Sequence, residues 1–103
     1  MQMHNPPHPG KILKELYIKP LHLTITEVAE GIGITRKSLS ELINGKYGVS
    51  VDVATRLAKA FSTTPESWLN LQQQYDLWVA KNTYKLPKIK VFNKKITLKK
   101  RAI

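Results

Sequence analysis

Cysteine is absent from this chain of 103 residues, so no disulfide framework and no thiolate metal site is available to it. Acid is scarce: seven Asp and Glu stand against 17 Lys and Arg, and no acid follows Asp76. Those few carboxylates are scattered, with neither a metal-ligand spacing nor the paired arrangement that acid–base hydrolysis needs. Histidine occurs three times, at His4, His8 and His22; Pro6 and Pro7 keep His4 and His8 off a common helix face. There is no phosphate-binding glycine loop. These absences leave no catalytic set, so the expectation is a protein that is not an enzyme and has no cofactor and no metal. No apolar run approaches the roughly 20 residues that span a bilayer, and the polar, Pro-rich start has no signal-peptide pattern. A soluble cytoplasmic protein with no membrane partner is the expectation.

What is present is unevenly distributed. Residues 1–80 hold eight basic residues against seven acids, whereas residues 81–103 hold eight Lys and one Arg with no acid. The formal charge of +10 therefore sits almost wholly at the C-terminal end. A hydrophobic content of 42% over this length suits one compact domain. The division expected is a domain over residues 1–82 and a basic extension over 83–103.

Helix signals recur along the first part. Pro9 suits a first helical position. Ile12, Leu13, Leu16 and Tyr17 have helical spacing, and Pro20 requires that this helix has ended. Thr24 and Glu27 form a capping-box pattern for a second helix. Thr35 is a candidate N-cap for a third, which Gly45 ends. Ser50 caps a fourth, with Asp52 in its first turn and Ala54, Leu57, Ala58 and Phe61 as its buried stripe. Thr64, Pro65 and Glu66 open a fifth.

The segment from Thr26 to Asn44 is the most specific. Small Ala29 lets two short helices approach, Gly33 provides the backbone freedom of a tight turn, and Ile34, Leu39 and Leu42 point inward. The second helix of the pair exposes Thr35, Arg36, Lys37, Ser38, Ser40 and Asn44, a face rich in donors. Such a helix fits the major groove of DNA with its first residues at base edges. Arg36 can grip guanine O6 and N7 together. Thr26 is placed for a phosphate, as are Lys46 and Tyr47 just beyond the helix. Without the turn around them, Arg36 and Lys37 would read as ordinary solvated charges.

The fifth helix is apolar on more than one side: Trp68, Leu71, Tyr75 and Trp78 make one stripe, and Leu69, Leu77 and Ala80 lie off it. Two readings stand. Trp68, Leu69, Leu71, Tyr75, Leu77 and Trp78 form a homodimer interface, or they are core alone. In the extension, residues 88–92 and 95–99 are β-prone runs around Asn93-Lys94, a pattern of a short β-hairpin; a plain basic tail is the alternative. That extension has three candidate roles: phosphate contacts, strand addition to a partner protein, or an inert solubilising arm.

Taken together, Asn5-Pro-Pro-His8-Pro-Gly10, the turn residues Ala29, Gly33 and Ile34, Leu42-Ile43-Asn44-Gly45, Ala54-x-x-Leu57-Ala58 and Trp68-Leu-Asn-Leu-Gln72-x-x-Tyr75-Asp76-Leu77 resemble the HigA-type antitoxins within the Xre/Cro-like helix-turn-helix class, a group that also takes in virulence-associated protein I. The likeness runs over residues 4–80 and does not include the extension. It implies an all-α, five-helix, lambda-repressor-like fold in a bacterial homodimer. It implies binding to a palindromic operator in double-stranded DNA at its own promoter. It also implies a partner, a HigB-like toxin that cleaves mRNA, which the antitoxin silences while repressing their shared operon. A stand-alone repressor without a toxin is the main rival, and a ribosome- or RNA-associated basic protein a weaker one.

Overall fold

The computed structural model describes residues 5–92. Five helices follow one another, and no strand occurs among the described residues. Helix α1 spans Pro9–Leu13 and runs on into a π-helical turn, Lys14–Ile18; α2 spans Ile25–Ile32, α3 Arg36–Ile43, α4 Val51–Phe61 and α5 Pro65–Thr83.

Each start is fixed by a local side-chain cap. The Thr24 hydroxyl accepts from the Glu27 N–H at 3.0 Å while the Glu27 carboxylate accepts from the Thr24 N–H at 2.9 Å, a reciprocal capping box. Thr35, Ser50 and Thr64 accept in the same way from the N–H groups of Ser38, Val53 and Ser67. Each such cap is worth about 1 kcal/mol. Gly33 takes a left-handed φ of 79°, and the Gly33 and Ile34 N–H groups both donate to the Ala29 carbonyl, closing α2 tightly enough for α3 to begin three residues later. Gly31, two residues earlier, is still inside α2.

The π turn changes which residues of the first helix are inside. Lys19 N–H donates to the Lys14 carbonyl, five residues back, at 3.0 Å. The wider loop adds one residue to the turn, so the apolar stripe passes from Ile12 and Leu13 to Tyr17 and Ile18. Leu16, expected on the buried stripe from an unbroken 3.6-residue period, is 65% exposed, and Ile18 is buried in its place.

The core gathers Leu13, Ile18, Val28, Ala29, Ile32, Leu39, Leu42, Ile43, Val49, Ala54, Leu57, Ala58 and Trp68. Helices α4 and α5 pack along each other, and α1 crosses α3 closely. Gly10 makes that crossing: a Cβ there would lie 2.1 Å from the Leu42 carbonyl oxygen. Between α3 and α4, the buried Gln72 of α5 reaches back, its Oε1 accepting from the Val49 N–H at 2.7 Å and its Nε2 donating to Asp76 at 2.9 Å. Its amide lies so close to Gly48 that a Cβ there would meet it at 2.7 Å.

The expected hairpin is not formed by its first arm. Residues 84–92 are exposed and have no strand pairing; the second arm, 95–99, lies outside the described residues. A two-stranded ribbon needs a surface to pack on, and none of residues 84–92 is buried against one among the described residues.

Candidate nucleic-acid interface

Helix α3 is anchored on one side and open on the other. Leu39 and Leu42 are wholly buried and Ile43 nearly so, which fixes the rotation of the helix. That rotation leaves Arg36, Lys37 and Asn44 exposed and Ser38 and Ser40 half-buried. Thr35 stands at the cap, with its hydroxyl oxygen engaged by the Ser38 N–H at 3.0 Å. Thr26 is exposed in the first turn of α2.

The electrostatics of this first turn run against those of its neighbours. Helices α2, α4 and α5 each carry an acid there, Glu27, Asp52 and Glu66, which complements the partial positive charge of a helix N-terminus. Helix α3 has no acid in its first turn and begins with Arg36 and Lys37. Two cations at the positive end of a helix are each unfavourable by a few tenths of a kcal/mol for the isolated domain. Neither makes an ion pair among the described residues. An anion supplied from outside would be attracted by both side chains and by the free N–H groups of the turn.

The turn that presents this end is held from α4. Arg56 Nη1 donates to the Ile32 carbonyl at 2.7 Å and to the Gly33 carbonyl at 3.3 Å, while its Nε faces both Asp52 oxygens at 3.1 Å. Arg56 thus acts as a brace, capping the C-terminal carbonyls of α2. Sequence reasoning left it aside, because nothing local links it to a turn 23 residues away.

Tyr47 is also a brace, where a phosphate contact was expected. Its hydroxyl donates to the Ser38 carbonyl, so that proton is turned inward onto α3. Lys46 is exposed, with a loose 4.0 Å approach to Glu41. Lys11 and Lys14 of the first helix, which sequence reasoning did not single out, share an open cleft with Asn44 and Gly45 at the end of α3; His8, Glu15, Ile43 and Tyr75 complete its lining. Lys19 holds the Glu15 carboxyl below the usual carboxylate range through a hydrogen bond.

His8 ties the N-terminal lead to this region. Its Nδ1 accepts from the Gly10 N–H at 2.9 Å, capping α1, and its ring meets Tyr75 edge-on at 4.9 Å. Burial lowers its pKa below the ordinary value, outweighing the opposing pull of the Tyr47 backbone and the Asp76 carboxylate. An unfolded chain binds the proton first as pH falls, so the contribution of His8 is complete above about pH 6.5 and declines below it. Thermal melts from pH 7.5 to 5 should show a steeper fall for the parent than for His8→Asn, which keeps a capping acceptor and does not titrate; parallel curves would refute it.

The six residues expected at a dimer interface are not all available for one. Trp68 is a correction: it is 2% exposed, packs on Tyr17 at 5.4 Å between ring centres, and donates its indole N–H to Thr63 at 2.8 Å. Its stripe is the one α5 needs to cover its own core. Leu69 and Leu71 are partly buried against the same core, and Tyr75 is half-covered by His8. Leu77, 49% exposed, and half-buried Trp78 remain on the surface of the outer half of α5.

Comparison with known proteins decides the family. The helix-turn-helix model HTH_3 matches residues 13–69, more than half of the chain. The chain belongs to the Xre-like helix-turn-helix family. Virulence-associated protein A' of Dichelobacter nodosus is 49% identical over 77 residues, 74% of this chain and 66% of that relative, just under two thirds of its length. Antitoxin HigA-1 of Vibrio cholerae is 41% identical over 75 residues, 73% of this chain and 70% of that one. Among solved structures, the antitoxin GraA in complex with its operator superposes with a TM-score of 0.74 at 31% identity, covering 88% of this chain and 97% of that chain. These helix-turn-helix relatives include regulators and antitoxins and share the all-helical fold.

Proposed function

We propose that this chain is a sequence-specific DNA-binding antitoxin of the bacterial cytoplasm, which as a homodimer represses its own operon at a palindromic operator and neutralises a HigB-like mRNA-cleaving toxin. The observation that carries the DNA half is the first turn of α3, where Arg36 and Lys37 occupy an end that three other helices fill with acids. That arrangement is disfavoured in the free domain and favoured against phosphate and guanine. GraA with its operator supports the same reading by analogy. The toxin half rests on the antitoxin relatives alone.

In this mechanism Arg36 reads a base, with Lys37 and Ser38 beside it. Thr26, Thr35, Ser40, Asn44 and Lys46 position the helix on the backbone, and Lys11 and Lys14 extend the basic margin past the end of α3. A dimer would set two copies of α3 about 34 Å apart, one turn of DNA. The outer half of α5, with Leu77 and Trp78, is the surface offered for that dimer.

Arg36→Ala is the direct test. Binding to duplexes tiled across the chain's own promoter should weaken by about 1–3 kcal/mol per half-site, with preference lost at one base position. Equal weakening on operator and on random DNA would make Arg36 a phosphate contact. Unchanged binding would remove α3 as the reading element. The rival, a repressor without a toxin, is separated by the reading frame next to the gene: its product expressed alone should stop growth, and should co-purify with this chain.

A further inference from the structure

After Thr83 the chain changes character. Residues 84–92 are exposed and adopt neither helix nor paired strand. Apart from the Tyr84 N–H, which still donates to the Ala80 carbonyl, their backbone makes no hydrogen bond among the described residues. Yet the segment is not a polar linker. Tyr84, Leu86, Ile89, Val91 and Phe92 leave large apolar side chains in solvent, Ile89 at 60% and Val91 at 82% exposure.

Their order is that of a strand. From Lys88 onward, Lys88, Lys90 and Phe92 alternate with Ile89 and Val91. The Lys90 ammonium sits 5.5 Å from the centre of the Phe92 ring, so these two side chains share one face, as residues two apart do in an extended chain. Ile89 and Val91, both β-branched, belong to the other face. Pro87 lacks an N–H and stands where an edge strand tolerates it, just before the first residue that would pair.

We infer that residues 88–92 are an edge strand in waiting, which adds to the open sheet edge of a partner protein whose edge is flanked by an apolar surface. Ile89 and Val91 would cover the apolar surface, while Lys88 and Lys90 stay on the solvent side of the added strand. Pairing with a second copy is disfavoured: residues 84–92 hold three lysines and no acid, and antiparallel pairing centred on Lys90 sets Lys90 against itself. Nucleic acid would satisfy the lysines through its phosphates but offers Ile89 and Val91 nothing to cover them. This inference rests on the reading that the chain has a partner protein, the product of the adjacent reading frame, and assigns that partner a docking mode.

The test uses the full chain and that product. Amide hydrogen exchange on the complex should show alternate amides within residues 88–92 slowed at least about tenfold, as one edge of a strand pairs and the other faces solvent. The double variant Ile89→Ser with Val91→Ser touches no core residue, leaves the charge unchanged and should keep the parent's melting temperature. It should lose at least about tenfold in affinity for the partner while keeping its affinity for the promoter duplex. A complex with unprotected amides and an unaffected variant would overturn the inference and leave the partner reading intact. Loss of duplex affinity in Lys88→Gln with Lys90→Gln, with partner affinity unchanged, would make the segment a nucleic-acid arm and overturn it too. Absence of any complex would remove both the inference and the partner reading.

Discussion

Gly10→Ala is expected to destabilise the domain by about 3 kcal/mol or more, the upper end of what overpacking a close contact does. The added Cβ would lie 2.1 Å from the Leu42 carbonyl oxygen, 2.8 Å from its carbon and 2.9 Å from the Ile43 Cα. All three are backbone atoms, so no side chain can swing aside. Either α1 lifts away from α3 or the end of α3 shifts, and both disturb Leu13 and Leu42, which are almost completely buried. For a domain of this size the melting temperature should drop by about 15 °C or more. Operator binding should fall with it, because Leu42 and Ile43 set the rotation of the helix that carries Arg36. Gly31→Ala supplies the contrast. Nothing lies within 4 Å of a Cβ at Gly31, and the residue is helical, so alanine there should stabilise by about 0.5–1 kcal/mol. Chemical denaturation of both variants tests the pair; a neutral Gly10→Ala would mean that the α1–α3 crossing can open without loss.

The signals that the sequence displays clearly are the local ones. Thr24, Thr35, Ser50 and Thr64 sit at helix starts because a side-chain oxygen three residues ahead of an N–H can only satisfy it in that geometry. The Ala29–Gly33 turn is legible for the same reason. The π turn was not legible: Lys14-Glu15-Leu16-Tyr17 reads as unbroken helix, and only packing of Tyr17 on Phe61 and Trp68 selects the wider loop that turns Leu16 outward. The same holds for the candidate site. Arg36 and Lys37 announce themselves by position in the turn, whereas the braces come from afar: Arg56 onto Ile32, Gln72 onto Val49 and Tyr47 onto Ser38. Spacing along α5 also could not divide its apolar residues between core and partner. Trp68 to Trp78 reads as one stripe, but the core extends only along the inner half of the helix, and the outer half is left without it.

Trp68→Ala draws the sharpest line between those halves. The indole is the largest fully buried side chain, wedged beside Tyr17 and linked to Thr63. Removing it leaves a cavity under α5, with an expected loss of about 3–5 kcal/mol. That is a large fraction of the total stability of a small domain. The Trp68→Ala chain should be largely unfolded on warming to growth temperature, and its circular dichroism should lose helix well before the parent's. Trp68→Phe keeps most of the volume and should cost about 1–2 kcal/mol, chiefly through the Thr63 hydroxyl left without its indole donor. Leu77→Asp should behave in the opposite manner. Leu77 is half exposed and outside the core, so the melting transition of the monomer should move little, within about 0.5 kcal/mol. If α5 joins two copies through its outer half, Leu77→Asp should instead lower the sedimenting mass from dimer to monomer and weaken operator binding, since half-site coupling is lost while each α3 stays intact. Dimers that persist unchanged in Leu77→Asp would move the interface off this face of α5. Trp68→Ala with a parent-like melt would mean that the core closes without its largest member, which its burial beneath the helix argues against.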